Sequence, residues 1–409
     1  MTAQPRRIVA TPGPGRSKRR ALTSRPTIAV GAVTVAAGLI GAGVCTTQAF
    51  ADPEQTAGET ARGGQTAGSV FASRPIADDS LVTGAANGQQ YSFWTQGSDD
   101  RTHLTTAVVL TPKGKAPAAG WPVVAYAHDA DGVSEDCGPT QARVARDTGA
   151  VSDLLREDYA VVVPDYSVIG TDGSPQYVDY SVAAKGVTDA VRAALDVEPS
   201  LSSRWAAVGD GQGAAVAVDL AKIASSSGSA KSGAAKLDFR GATATTLPVG
   251  YADVVTGLSP QSAKVSPSTV ADVVYTLSSL PSDKIAPLLS TRGRELVTKA
   301  KKLCEPALTK AVGSSNVADL VRKPISSERT LTSDLRKQLA LPSSGFSRPI
   351  MLSQKLVDDD TDVPASLQYL TAAQLASNKV SAKTYLTGDV KDADNQEKTA
   401  LTAFLKKLF

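Results

Sequence analysis

The stretch from Trp205 to Val216 constrains this chain more than any other. Trp-Ala-Ala-Val is a short apolar run suited to a strand covered on both faces, and a helical stripe of Val216, Leu220 and Ile223 begins soon after it. Only Gly-Asp-Gly-Gln-Gly, residues 209–213, lies between them, so strand must pass into helix through a tight turn. The same alternation recurs along the chain. Short apolar runs at 105–110, 122–126, 159–163, 241–247, 349–353 and 382–386 read as further strands. Residues 181–195 read as a helix, with Val187, Val191, Ala194 and Leu195 on one stripe. A last helix carries Leu401, Phe404, Leu405 and Leu408, with Asp394 and Glu397 expected as a capping box at its start. Repeated β-α units imply an α/β fold with a mostly parallel sheet flanked by helices.

The turn itself has a chemical reading. Small-x-Nu-x-small between strand and helix is the nucleophile elbow of the α/β-hydrolase fold. Side chains two before and two after the nucleophile would collide, and Gly209 and Gly213 fill those places. The nucleophile position is then Gly211, which can hold a strained backbone but carries no reactive group. Reading Asp210 as nucleophile instead would put Val208 and Gln212 at the small positions, which the geometry rejects. By itself Gly-Asp-Gly-Gln-Gly is equally an ordinary loop.

Several segments in order resemble the secretory lipase family, relatives of the fungal lipase A type. Gly120–His128 (GWPVVAYAH), Gly132 and Cys137-Gly138-Pro139 are similar to that family's GGWPVVAWAHGTTG…CAPS stretch. Val163–Tyr166 (VPDY), Gly170 and Tyr177 resemble its DY.GLG…Y stretch, and Val191-Arg192-Ala193 its helix before the elbow. Gly209–Gly213 falls where relatives read Gly-His-Ser-Gln-Gly. The resemblance spans about 70–409 and is weakest in the middle. It implies an α/β-hydrolase fold with an inserted helical cap and a Ser, Asp, His triad in that order. Asp360, in Asp-Thr-Asp-Val-Pro, fits the acid position, although Asp358, Asp359 and Asp362 lie close by and such a loop is also an ordinary solvated turn. Val390 fits the histidine position, and the chain has no histidine after His128. His128 corresponds to the histidine of the oxyanion loop, or serves as a structural histidine at the sheet edge. The oxyanion hole would use the Gln212 N–H and a donor from that loop, where Asp129 replaces the family's glycine and Asp131 follows.

The ends and the composition set the remaining expectations. Residues 1–51 read as a signal peptide: seven basic and no acidic residues, an apolar run over 27–44, and Ala49-Phe50-Ala51. Retention of that run as a membrane anchor is the rival reading. Residues 52–68 read as a flexible linker, 69–255 as the first part of the core, 256–345 as the cap and 346–409 as the last part of the core. With 43 Lys+Arg and 40 Asp+Glu in the whole chain, loss of the signal leaves a net charge of −4, which gives no support to nucleic-acid binding. Cys137 and Cys304 form an even pair in the exported part and read as a disulfide between core and cap, the alternative being two buried thiols. No metal-ligand spacing, phosphate loop or cofactor motif occurs. The leading expectation is a secreted lipase-like pseudoenzyme that binds a lipid or acyl ligand, or a cell-envelope component. A hydrolase with a non-standard catalytic set and a structural envelope protein are the alternatives.

Overall fold

The computed structural model describes residues 66–134, 137–140, 148–166, 179–223, 237–355 and 363–409. The expected signal peptide, Gly170, Tyr177 and the acid candidates Asp358, Asp359, Asp360 and Asp362 lie outside these residues.

Nine strands form one sheet: β1 Val70–Pro75, β2 Ala85–Gln96, β3 Thr102–Pro112, β4 Trp121–Ala127, β5 Ala160–Pro164, β6 Leu201–Asp210, β7 Asp238–Thr245, β8 Ile350–Lys355 and β9 Val380–Tyr385. Their spatial order is β1-β2-β3-β5-β4-β6-β7-β8-β9. The first three pair antiparallel and β3 meets β5 antiparallel, while β5 through β9 are parallel. With this sheet between helical layers, the chain has an α/β-hydrolase fold. Sequence periodicity missed β1 and β2. β2 is polar along much of its length, and β1 buries little, so pairing rather than apolar alternation defines them. Gly68, expected at the end of a linker, already donates its N–H to Trp94 at 2.7 Å.

The helices are α1 Thr148–Arg156, α2 Tyr180–Val197, α3 Gln212–Ile223, α4 Tyr251–Thr256, α5 Pro267–Ser279, α6 Ser282–Ile285, α7 Thr291–Ala300, α8 Ala307–Val312, α9 Arg329–Gln338, α10 Val363–Ala376 and α11 Val390–Leu408. On one face of the sheet, α2 and α3 bury Val187, Val191, Val216 and Leu220 against Tyr91, Phe93 and Trp205. On the other, α1 and α11 pack Leu154, Leu155, Leu405 and Leu408 against Val124, Val161 and Val208. The helices between β7 and β8 hold a separate apolar cluster, with Val270, Tyr275, Leu296 and Leu335 fully covered or nearly so. Ser266 and Ser290 cap α5 and α7 by accepting from Thr269 and Gly293 N–H groups at 3.1 and 2.9 Å.

The last helix departs from expectation. It begins at Val390, capped by Asp389, which accepts the Asp392 N–H at 3.0 Å. Asp394 and Glu397 are therefore inside the helix rather than a capping box. They face Lys355 at the end of β8, at 2.8 and 3.6 Å. Tertiary charge pairing here replaces the local pattern that the spacing suggested.

Candidate functional site at the strand–helix turn

β6 runs into α3 at Asp210-Gly211-Gln212, and Gly211 has a φ of +54°, the left-handed region that glycine tolerates. The flanking glycines are dictated by space. A Cβ on Gly209 would lie 2.1 Å from the Gly213 carbonyl oxygen, and one on Gly213 would lie 1.8 Å from that of Ala127. The turn is pinned by the Gly211 N–H, 3.3 Å from the Thr245 carbonyl. Asp210 helps, accepting the Thr245 hydroxyl at 2.9 Å.

The space beside Gly211 is filled. The Gln212 N–H, the expected oxyanion donor, donates to Asp129 Oδ1 at 2.8 Å. A Cβ on Gly211 would stand 2.0 Å from that oxygen and 2.2 Å from the carboxyl carbon. The Asp129 carboxylate thus takes the Gln212 N–H and fills the space that a side chain at 211 would need. Asp129 is exposed over part of its surface, yet protein packed round the carboxyl desolvates it and raises its pKa, against the opposing Gln212 and Ala130 N–H groups.

The loop carrying Asp129 is held from several sides. His128 is buried; its Nδ1 lies 2.6 Å from the Asp129 carbonyl oxygen and 3.1 Å from Asp131 Oδ2. Burial lowers its pKa, but the hydrogen bond and charge of Asp131, with the Asp129 carbonyl, win and raise it. The imidazole stacks on Tyr166 at 4.4 Å, and the Tyr166 hydroxyl donates to the His128 carbonyl at 2.5 Å. His128 is thus a loop-holding residue whose Nε2 is buried without a hydrogen-bond partner. Asp165, beside Tyr166, is buried and accepts the Thr140 N–H at 2.9 Å and the Thr106 and Thr140 hydroxyls. A Cβ on Gly138 would come within 2.8 Å of its carboxyl, so the VPDY and CGP segments lock together. Burial raises the Asp165 pKa above the ordinary carboxylate value. Both segments stand out as motifs in the sequence, but that one holds the other is visible only in the fold.

Cys137 and Cys304 are bonded, 167 residues apart. The bridge carries the loop to the residues after α7, where the Glu305 N–H also donates to the Asp131 carbonyl at 3.0 Å. Val390, at the expected histidine position, is an exposed residue in the first turn of α11. Where β8 ends, Lys355 sits between Asp394 and Glu397, and Glu397 accepts the Ser353 hydroxyl at 2.5 Å. Partial burial alone would lower the Lys355 pKa, but the carboxylates of Asp394, Glu397 and Asp210 raise it. Sequence reasoning missed this cluster because its members come from two distant elements. Among the described residues no group of three or more His, Cys, Asp or Glu side chains could hold a metal ion, and no helix is long and apolar enough to cross a membrane.

No protein-family model and no curated protein matches the chain. Among solved structures it is similar to Candida antarctica lipase A in its closed state, with a TM-score of 0.65 and 19% identity, covering 80% of this chain and 79% of that one. It is also similar to a ligand-bound form of the rice cell wall degrading esterase LipA from Xanthomonas oryzae, with a TM-score of 0.64 and 15% identity, covering 84% of this chain and 98% of that one. At these identities the likeness is one of fold.

Proposed function

We propose that this chain is an exported lipase-like protein of the secretory lipase type that has lost ester hydrolysis and binds a lipid or other acyl-bearing ligand beside the strand–helix turn. The observation that supports the reading is that the tight strand–helix turn has glycine at 211 and that the Asp129 carboxylate lies against it, seated on the Gln212 N–H. The absence of any histidine after His128 supports it from the sequence side. Loss of a triad serine or histidine costs about a millionfold in rate. A carboxylate in the hole would also oppose the negative charge of a tetrahedral intermediate instead of stabilising it. Export rests on the basic and apolar N-terminal pattern.

The test is turnover of short-chain aryl esters and triglycerides, with fluorophosphonate labelling alongside. The expected result is no turnover above a surface-catalysed background and no label. Activity that survives repurification and disappears with this polypeptide overturns the inactive reading and favours a non-standard catalytic set. Lipid carried through purification supports the binding role, and its consistent absence favours a structural envelope protein.

A further inference from the structure

Helix α3 is apolar for most of its length: from Gly213 to Ala221 every residue but one is a buried glycine, alanine, valine or leucine. The exception is Asp219, which is partly buried. A carboxylate drawn out of water is costly unless it is paired, so such groups as a rule meet a cation or several N–H donors. Asp219 accepts no hydrogen bond and forms no ion pair among the described residues. Burial lifts its pKa to about 6, with the charge of Lys222 opposing and that of Asp179 adding. The carboxylate lines a cleft of about 270 Å³. With about 1.5 Å of rise per residue, Asp219 stands about 10 Å along α3 from Gln212, away from the strand–helix turn. The cleft lies on the seam between two apolar clusters. Ile223 packs on the sheet-side cluster and Leu341 on the cluster of the helices between β7 and β8, and both line the cleft. Pro342 beside them is fixed, its carbonyl accepting the Tyr369 hydroxyl at 2.8 Å. Asp179 is another lining residue, but one of its oxygens is committed to the Val182 N–H at 3.1 Å as the cap of α2. Lys337, near the end of α9, is exposed at the cleft and has no carboxylate partner among the described residues. Seams of this kind are common places for ligand pockets, and the volume is just under the lower end of their usual range, about 300 Å³.

We infer that this cleft binds a small zwitterion of the amino-acid class, with its ammonium group on the Asp219 carboxylate, its carboxylate on the Lys337 ammonium and an aliphatic stem along Ile223 and Leu341. A partly buried carboxylate without a partner, sitting in a cleft, is the kind of group that binding sites hold in reserve. The charges of the lining decide the class. A lone cation would have Lys222 and Lys337 against it, and a lone anion would have Asp179 and Asp219. A molecule with both charges satisfies both pairs. The acyl ligand proposed beside the turn is not needed for this second site.

The probes are 4-aminobutanoate, 6-aminohexanoate and 8-aminooctanoate, which step through the charge separation, with hexylamine and hexanoate as single-charge controls. They are titrated at millimolar concentrations and neutral pH into the full chain and followed by saturation-transfer NMR and calorimetry. Wild type is expected to bind the best of the three zwitterions at least about tenfold more tightly than either control, since charge complementarity decides such preferences. Asp219→Asn keeps the shape and removes the desolvated charge, so the fold should hold while that zwitterion and hexylammonium weaken about tenfold or more. Lys337→Gln should weaken the zwitterion and leave hexylammonium bound no more weakly than before. Absence of binding by all three zwitterions overturns the inference and leaves a solvated cleft only. Equal affinity of wild type for hexylammonium and the best zwitterion also overturns it, as does undiminished zwitterion binding in Asp219→Asn, which would place the probe elsewhere. None of these outcomes bears on the acyl ligand, which esters and co-purified lipid test separately.

Discussion

Gly211 and Asp129 define each other, and that contact decides what repair of the site requires. A serine at 211 would have to adopt a φ near +54° and share space with a carboxyl 2.0 Å from its Cβ. A serine hydroxyl at 211, even with a histidine at 390, would find the Gln212 N–H already taken by Asp129. Gly211→Ser/Val390→His is expected to stay inactive, and only addition of Asp129→Gly should give measurable turnover. The same coupling should be readable in stability. Gly211→Ala is expected to cost about 1–2 kcal/mol for the left-handed backbone, and more for the collision. Asp129→Gly should recover the collision part, so a urea double-mutant cycle should show a coupling of about 0.5–3 kcal/mol. Simple additivity would show that the two residues do not compete. The small positions 209 and 213 were legible in the sequence because turn geometry is local. The reach of Asp129 to Gln212, 83 residues away, was not, because it depends on β4 and β6 lying side by side.

At the scale of elements, the disulfide is the clearest lever. Cys137 follows the Asp129 loop and Cys304 follows α7, so the bond joins the top of the sheet to the helices between β7 and β8. Cys137→Ser/Cys304→Ser is expected to lower unfolding stability by about 2–5 kcal/mol in urea titration, because the bridge closes a long loop. Peptide mapping of the unreduced protein should find the two cysteines in one linked species. Two free thiols would refute the pairing. The even pair of cysteines beyond residue 51 was enough to suggest this bond. The start of α11 was misread for the opposite reason: Asp394 and Glu397 have capping-box spacing, but long-range pairing with Lys355 is where their charge goes.

For the whole molecule, buried carboxylates set the response to pH. Asp189 accepts the Thr95 hydroxyl at 3.0 Å and pairs with Arg192 at 2.7 Å, yet burial outweighs both and lifts its pKa from 3.8 to about 6. Asp219 is likewise lifted by burial to about 6, with Lys222 opposing and Asp179 assisting. Asp129, Asp165, Glu397 and His128 shift in the same direction. In each case the folded chain binds protons more readily than the unfolded one. The resulting stability is fully present below the unfolded pKa and is lost as pH rises through the folded pKa. For Asp189 and Asp219 that window runs from 3.8 to about 6. The urea midpoint is therefore expected to rise as pH falls from 7 toward 4.5, and Asp189→Asn should flatten the rise. A midpoint that falls over that range would contradict the sign. The parallel core of the sheet was legible from its buried apolar runs, and β1 and β2 were not, since their residues become strand only through their neighbours.

The closing layer of α11 has a consequence in time. Arg204 Nη1 donates to the Phe409 carbonyl across 205 residues of chain, and the Tyr159 and Phe409 rings meet at 5.3 Å. Lys398 and Lys406 reach Asp153 in α1 and Glu157 just beyond it, at 2.6 and 2.7 Å. Contacts of such separation form slowly, because chain entropy must be lost before they give anything back. On a ribosome this face of the sheet has only α1 as cover until α11 has emerged, so during synthesis Val124, Val161 and Val208 are left partly open to whatever else will bind them.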